Sequence, residues 1–150
     1  MRIAVCSDEP YPVHEVVIGE LETRGHQVLR LGAIADGQET PFASLAEAAA
    51  LRIVEGDCDE GVFFCWTGTG ISIAANKVPG IRAALCGDAP TAAGARVWNH
   101  ANVLCLSNRS LSGDVAKEIV AAWLETDPGS QGASGVEELN QVDLRWRRSE

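Results

Sequence analysis

Residues 61–85 read GVFFCWTGTGISIAANKVPGIRAAL, and this stretch decides the fold. Residues 61–65 form a continuous apolar run, which is typical of a strand in a parallel sheet whose two faces are covered by helices. The Gly-rich turn WTGTG follows, and ISIAANK then has a helical pattern. After the turn VPG comes a second apolar run, Ile81–Leu85. Strand, helix and strand in this order predict a βαβ unit.

Apolar runs and helical patterns alternate on both sides of this unit. The further predicted strands are Arg2–Cys6, His26–Leu31 and Asn102–Leu106. The further predicted helices are a segment from Val13 to a stop at Gly25, then Phe42–Val54, Pro90–Trp98 and Gly113–Leu124. Five successive β–α units predict an α/β fold, a three-layer α/β/α sandwich around a five-stranded, mostly parallel sheet.

The composition is close to a globular average, with 46% apolar and 22% charged residues among 150, which excludes disorder, collagen and a coiled coil. This length predicts one domain. The net charge is −9 and Lys77 and Lys117 are the only lysines, so nucleic acids and anionic membranes are not expected partners. No apolar stretch of about 18 residues occurs, so no membrane span is expected. The apolar run within the start MRIAVCSDEP is too short for a signal peptide. We therefore expect a cytoplasmic protein.

The five cysteines occur without a CxxC motif or a paired metal-ligand spacing, so no metal site is expected. Cys6, Cys86 and Cys105 lie in apolar runs and are interpreted as small buried hydrophobic residues. Disulfides are not expected in a cytoplasmic setting. Cys65 differs from the others, because the Gly-rich turn follows it directly.

The composition changes near the end of the chain. Residues 1–125 hold the predicted sandwich, and residues 126–135 (TDPGSQGASG) read as a Gly/Ser linker. Residues 136–150 form a predicted tail helix with apolar residues at near-helical spacing: Val136, Leu139, Val142 and Trp146. Such a helix packs either on a neighbouring subunit or on its own domain, and the sequence leaves both open.

The turn after Cys65 is the most informative candidate site, because sites in open α/β sheets lie at the carboxyl ends of the strands. Gly68 and Gly70 allow a tight turn into a helix, whose first N–H groups suit an anion or an oxyanion. The turn lacks a Walker A lysine, and Ile73 stands at the third Gly position of a dinucleotide fingerprint. A thiolate at this place suits attack on a carbonyl or abstraction of a proton next to one. The alternative is a core cysteine that ends a strand.

Three segments together resemble a known family. They are CWTGTGISIAANKVPGIRAALC at 65–86, RIAVCSD at 2–8 and NHANVLCL at 99–106. They resemble the type B ribose-5-phosphate isomerases, which include the galactose-6-phosphate isomerase subunits. The resemblance implies a five-stranded α/β/α fold and interconversion of aldose and ketose phosphates without a metal or other cofactor. It also implies a homodimer or a dimer of dimers, with sites shared between subunits.

The resemblance assigns roles position by position. It implies that Cys65 is the base that moves a proton between C1 and C2, and that Thr67 relays the hydroxyl protons. The implied binding residues are the amides of Gly68, Thr69, Gly70 and Ile71 for the enediolate, Asp8 and Asn99 for the sugar, and Arg109 for a phosphate. Each residue also has a structural alternative: Asp8 caps a helix region, Asn99 ends a helix, and Arg109 forms a surface ion pair.

Several positions depart from the family's pattern. Glu9 stands where the family has a histidine, and Trp66 replaces a glycine at the mouth of the turn. Trp98 replaces the ring-opening histidine, and His100 takes over acid/base work only if its loop shifts. The C-terminal arginines that clamp phosphate have no match, since Glu137 and Gln141 align there.

We therefore expect an aldose–ketose isomerase that acts on a sugar phosphate or related sugar through a cis-enediol. The alternative is a catalytically altered family member that serves as a non-catalytic subunit or sugar-binding module. Because Arg109 remains while the tail arginines are missing and the net charge is −9, a free sugar or a less anionic derivative is the expected substrate.

Overall fold

The computed structural model describes residues 1–146, and the strands form one five-stranded sheet in the order β2-β1-β3-β5-β4. Every neighbouring pair is parallel. The strands are β1 (Arg2–Ser7), β2 (Gln27–Gly32), β3 (Glu60–Cys65), β4 (Ala83–Leu85) and β5 (Val103–Ser107). The predicted α/β sandwich is confirmed, with an all-parallel sheet where a mostly parallel one was expected.

Helices connect the strands and cover both faces of the sheet. They are α1 (Val13–Thr23), α2 (Ala33–Asp36), α3 (Phe42–Val54), α4 (Thr69–Ala75), α5 (Ala89–Asn99), α6 (Gly113–Glu125) and α7 (Ala133–Trp146). The short helix α2 has no counterpart in the sequence prediction. None of the helices within residues 1–146 is both long and apolar enough to span a membrane.

Two apolar layers hold the helices on the sheet. Helices α1, α5 and α6 pack on one face, where Phe64 of β3 and Leu104 of β5 are fully buried. Helices α3 and α4 pack on the other face, against the alternate residues Phe63 and Cys105. Because successive strand residues point to opposite faces and both faces are covered, β3 is apolar after Glu60 and β5 is apolar up to Ser107.

The cysteines behave as small apolar residues. All five are buried free thiols. Cys6 and Cys105 are 0% exposed and Cys86 is 1% exposed, which confirms their interpretation as core residues. Burial raises the pKa of the Cys86 thiol to about 11, so this thiol stays protonated at neutral pH.

The tail helix begins earlier than the sequence suggests. α7 starts at Ala133, inside the stretch read as a linker. Gly132 is buried against the end of α5, where a Cβ atom would lie 2.4 Å from the carbonyl oxygen of Val97. α7 nevertheless buries none of its own residues. Its apolar side chains at Leu139, Val142, Leu144 and Trp146 are 44–80% exposed. The last predicted tail residues, 147–150, lie outside the described part.

Candidate active site

The candidate site lies at the carboxyl ends of three neighbouring strands. Cys65 ends β3 and is the register partner of Ser107 at the end of β5. On the other side, Ser7 of β1 is the partner of Phe64, so Asp8 follows beside Cys65. Parallel pairing therefore gathers the loops after β1, β3 and β5 at one edge of the sheet.

The backbone around Cys65 is held by the loop after β5. The carbonyl oxygen of Cys65 accepts a hydrogen bond from Asn108 N–H at 2.9 Å, and that of Trp66 accepts one from Arg109 N–H at 3.2 Å. Ser107 Oγ donates a further bond to the Trp66 carbonyl at 2.9 Å. Cys65 is 5% exposed, so its thiol lies just below the surface in a fixed backbone.

The turn after Cys65 requires glycine at position 68. Gly68 has a φ of 75°, and a Cβ atom there would lie 2.6 Å from Leu85 Cδ1 and 3.0 Å from the carbonyl carbon of Leu106. Its N–H donates to the Cys65 carbonyl at 3.3 Å. The amides of Thr69, Gly70 and Ile71 form the first turn of α4, where N–H groups have no carbonyl partner within the helix. Thr69 is exposed and Gly70 half-buried, whereas Ile71 is 0% exposed. Of the four predicted amides, those of Thr69 and Gly70 are therefore the two that an oxyanion can reach.

Two threonine hydroxyls meet at the entrance to α4. Thr67 Oγ1 lies 2.6 Å from Thr69 Oγ1. Both residues are exposed. A pair of hydroxyls at this distance shares one proton in a hydrogen bond and leaves the other proton to a ligand. The geometry is suited to passing a proton between two oxygen atoms of a bound molecule.

An aromatic and charged rim surrounds the mouth of the site. The Trp66 side chain is 49% exposed. The Tyr11 ring centroid lies 5.9 Å from the Trp66 ring centroid. The guanidinium carbon of Arg109 lies over the same Trp66 ring, 5.5 Å from its centroid. Tyr11 Oη donates to Glu9 Oε2 at 3.0 Å. Trp66 thus contacts Arg109 directly and is linked to Glu9 through Tyr11.

Asp8 gives the site an acidic side. Its Oδ1 atom is buried and has no hydrogen-bond partner among residues 1–146. Burial raises the pKa of the Asp8 carboxyl, and the nearby Glu9 raises it further. Asp8 and Glu9 also line an open cleft of about 280 Å³, with Glu39, Thr40 and Pro41. The carboxylates of Asp8 and Glu9 therefore lie at a cleft that a ligand can enter.

Three buried polar residues beneath the site were not predicted as functional. Ser7 is 0%, His14 3% and Asn108 7% exposed, and hydrogen bonds join them in a row. Burial lowers the pKa of His14. The sequence alone favours a structural or solvated role for His14, which lies on a predicted helix. No local pattern reveals the contact, because its partner Asn108 lies 94 positions away.

Asn99 and His100 lie at the opposite end of the sheet from Cys65 in the same chain. α5 starts after β4 at the carboxyl edge and runs back to the amino edge. There the His100 carbonyl accepts a hydrogen bond of 2.9 Å from Nε of Arg82, the residue directly before β4. His100 has a φ of 44°, and its Nε2 is buried without a partner among residues 1–146. Asn99 lines a cleft of about 430 Å³ between the start of β4 and α7.

Within residues 1–146, no three or more His, Cys, Asp or Glu side chains are arranged to hold a metal ion. The groups that meet at the edge around Cys65 are a thiol, paired hydroxyls, backbone amides, two carboxylates and a guanidinium. This set can move protons and bind a polyol.

Comparisons with known proteins place this arrangement in context. The ribose/galactose isomerase family model matches residues 3–140. Ribose-5-phosphate isomerase B of Escherichia coli is 37% identical over 141 residues, which cover 93% of this chain and 94% of that protein. D-erythrulose-4-phosphate isomerase of Pectobacterium atrosepticum is 37% identical over 145 residues, covering 95% of both chains. The structure of Clostridium thermocellum ribose-5-phosphate isomerase B matches with a TM-score of 0.90 and 34% identity, covering 98% of this chain and 100% of that one.

Proposed function

Since the chain belongs to the ribose/galactose isomerase family, we propose that it interconverts the aldose and ketose forms of a sugar phosphate or related sugar, with Cys65 as the base. Its relatives carry the names of sugar-phosphate isomerases. The observation that carries the proposal is the position of Cys65, at the end of β3 and directly before Thr67 and the first-turn amides of α4.

The proposed reaction moves two protons and leaves the carbon chain unchanged. The Cys65 thiolate takes the proton from C2 of the aldose, and the resulting thiol returns it to C1. The hydroxyl proton on O2 passes to O1 through Thr67, whose Oγ1 lies 2.6 Å from Thr69 Oγ1. The amides of Thr69 and Gly70 stabilise the negative charge on the enediolate oxygen. The products are the ketose and the free enzyme.

The rim residues would hold the rest of the substrate. Asp8, which lines the open cleft beside Glu9, accepts a sugar hydroxyl. Glu9 accepts another beside it. The half-exposed face of Trp66 packs on the C–H groups of the sugar, as aromatic rings do with amphipathic ligands. Arg109, held over that ring, binds the end of the substrate farthest from C1 and C2.

We also propose a homodimer, or a dimer of dimers, in which Asn99 and His100 complete the partner's site. Two observations support a shared site. Asn99 and His100 lie far from Cys65 within one chain, and four apolar residues of α7, Leu139, Val142, Leu144 and Trp146, are 44–80% exposed. Mixing inactive Cys65→Ala chains with impaired Asn99→Ala chains tests the proposal. In an equal mixture, half of the dimers are hybrids, and each hybrid has one intact site out of two. If the sites are shared, the mixture should therefore regain about a quarter of the wild-type activity. No gain on mixing, with subunit exchange verified, would contradict it.

A second candidate function is a sugar-binding protein without isomerase activity, which the 5% exposure of Cys65 favours. A panel of phosphorylated and free aldoses in deuterated water separates the two. The isomerase incorporates deuterium at C2 of its substrate, whereas a binding protein shifts the NMR signals of Trp66 without incorporation. Isomerisation is the function that the full set of site residues supports best.

A further inference from the structure

Three buried polar side chains lie beneath the candidate site and take no part in the proposed chemistry. Ser7 is at the end of β1, His14 is in the first turn of α1, and Asn108 follows β5. Their exposures are 0%, 3% and 7%. A buried polar group costs free energy unless its hydrogen bonds are made, so the partners of these three residues need an explanation.

The hydrogen bonds between them run in one direction. Tyr11 N–H donates to His14 Nδ1 at 3.3 Å, so the imidazole proton must be on Nε2. His14 Nε2 then donates to Asn108 Oδ1 at 2.7 Å, which orients the amide. Asn108 Nδ2 donates to Ser7 Oγ at 3.1 Å. Ser7 Oγ in turn donates to the Glu9 carbonyl at 2.7 Å.

This row joins the two loops that carry the rim of the site. Ser7 Oγ closes the turn over Asp8, because it also accepts from Glu9 N–H at 3.4 Å. Asn108 immediately precedes Arg109, and its own N–H donates to the Cys65 carbonyl at 2.9 Å. The loops of Asp8 and of Arg109 are therefore linked to each other by side chains alone.

The imidazole is also fixed in place by its neighbours. Its ring centroid lies 4.6 Å from that of Phe64 and 6.2 Å from that of Tyr11. Phe64 is a fully buried residue of β3. With its ring plane fixed by packing and both nitrogens bonded, His14 has a single orientation. A rigid donor of this kind can set the position of a flexible loop.

We propose that His14 is a positioning residue, which acts through Asn108 and Ser7 to hold the loop of Asp8 and Glu9 in register with the loop of Arg109. The effect on substrate binding rests on the proposed function, because both loops contact the substrate only in that proposal. Cys65 keeps its place without His14, since it is a residue of β3 and pairs in register with Ser107 of β5. Loss of the row should therefore weaken binding and leave the proton transfer intact.

Four variants of the full-length protein test this proposal. His14→Leu removes both hydrogen-bonding nitrogens, whereas His14→Gln retains a donor toward Asn108 and an acceptor toward Tyr11. Ser7→Ala breaks the far end of the row with a minimal change in volume and replaces His14→Leu if that variant does not fold. Val17→Ala, on the same helix and equally buried, creates a core defect outside the row.

The first measurement is amide hydrogen exchange by NMR, which needs no substrate. His14→Leu and Ser7→Ala should speed exchange at Glu9 and Arg109 by about tenfold or more, as loss of a buried hydrogen bond implies. His14→Gln should restore slow exchange, and Val17→Ala should not affect these two amides selectively. Unchanged exchange at Arg109, or an equal rise in Val17→Ala, would overturn the proposal.

The second measurement is steady-state kinetics with the substrate found in the aldose panel. We expect KM to rise by about tenfold in His14→Leu with kcat nearly unchanged, which is the pattern of lost uniform binding. His14→Gln should restore KM. Faster exchange without a change in KM would mean a purely structural role and would overturn the proposal. If the wild-type protein moves no deuterium with any aldose, the proposed function fails, and the exchange data still decide whether the row holds the loops.

Discussion

The guanidinium of Arg109 lies over the indole ring of Trp66, with its central carbon 5.5 Å from the ring centroid. The two residues are also joined through the backbone, since Arg109 N–H donates to the Trp66 carbonyl at 3.2 Å. A cation stacked on an aromatic face loses part of its freedom to move. The charge of Arg109 is thus fixed at the mouth of the site, over the residue that directly follows Cys65.

The sequence alone favours a free sugar or a less anionic derivative, but the position of Arg109 over Trp66 changes this expectation. One arginine held at the mouth of the site predicts a modest preference for phosphorylated substrates. Arg109 is the one arginine in the predicted set, and a charged hydrogen bond contributes about 1.5–3 kcal/mol, or roughly 10- to 150-fold in kcat/KM. The net charge of −9 opposes a dianion. The measurement is kcat/KM for ribose-5-phosphate against that for ribose.

The control compares two arginine variants. Arg109→Gln should remove the phosphate preference, whereas Arg52→Gln should keep it, because Arg52 pairs with Asp57 away from the site. A preference well above the range of one charged hydrogen bond would mean that further arginines reach the phosphate. That result would contradict the expectation.

Replacement of Gly68 should damage the site and the fold together. The Cβ atom of Gly68→Ala would lie 2.6 Å from Leu85 Cδ1, on a backbone with a φ of 75°. We expect a loss of about 1–3 kcal/mol of unfolding free energy from overpacking, measured by urea denaturation. Gly94→Ala is the control, since no atom lies within 4 Å of its Cβ. In the α5 interior it should gain about 0.5–1 kcal/mol; equal losses in both variants would contradict the steric argument.

Asp8→Asn should raise the melting temperature at pH 7 and weaken substrate binding. The pKa of Asp8 is raised above its ordinary 3.8 by burial and by Glu9, so its charged form is disfavoured in the folded state. That cost is present at neutral pH and fades as the pH falls through the raised pKa toward 3.8. Melting curves of both proteins at several pH values measure it. A variant less stable than the wild type at pH 7 would contradict the prediction.

The buried His14 should make the protein less stable in mild acid. Burial lowers its pKa below the ordinary 6.5. Between these two pKa values the unfolded chain binds more protons, so stability falls as the pH drops from about 6.5 through the lowered pKa and then levels off. His14→Gln should lose this part of the pH dependence, while His26 and the carboxylates contribute equally to both proteins. The melting temperatures of the two proteins are measured between pH 8 and 5. An equal change with pH in both would exclude His14 as the cause.

The sequence predicts the sheet well because the apolar pattern of each strand's own residues indicates where that strand begins and ends. β3 and β5 are covered by helices on both faces, so their apolar runs stand out, and the predicted bounds differ from the structure by one residue at most at either end. The four residues of α2 are too few to show a helical period. The start of α7 was also missed, because the packing of Gly132 on α5 depends on tertiary contact and leaves no local signal.

In the site too, local sequence patterns reveal some residues, whereas contacts between distant positions leave no local signal. Cys65, Thr67 and Gly68 lie within four successive residues, and the βαβ pattern alone predicts that they meet at the carboxyl edge. The row from His14 through Asn108 to Ser7 joins positions 94 and 101 residues apart, which no spacing rule can pair. Asn99 and His100 were assigned from a resemblance, and only the course of α5 reveals that they lie far from Cys65 in one chain.

Two buried cysteines provide controls for a test of Cys65. Cys86→Ala and Cys105→Ala should each lower the unfolding free energy by about 1 kcal/mol, because each leaves a small cavity. Both residues are buried at 1% and 0% exposure. Their activity per folded molecule should equal that of the wild type, since neither lies in the loops that form the site.

The measurement that tests the central claim most directly is deuterium incorporation from deuterated water into a sugar substrate. The wild-type protein, Cys86→Ala and Cys105→Ala should label C2 of the aldose and C1 of the ketose. Cys65→Ala should remain folded and lose the exchange by about 10²–10⁴-fold, the usual contribution of a general base. Exchange at the wild-type rate in Cys65→Ala would contradict the assignment of Cys65 as the base.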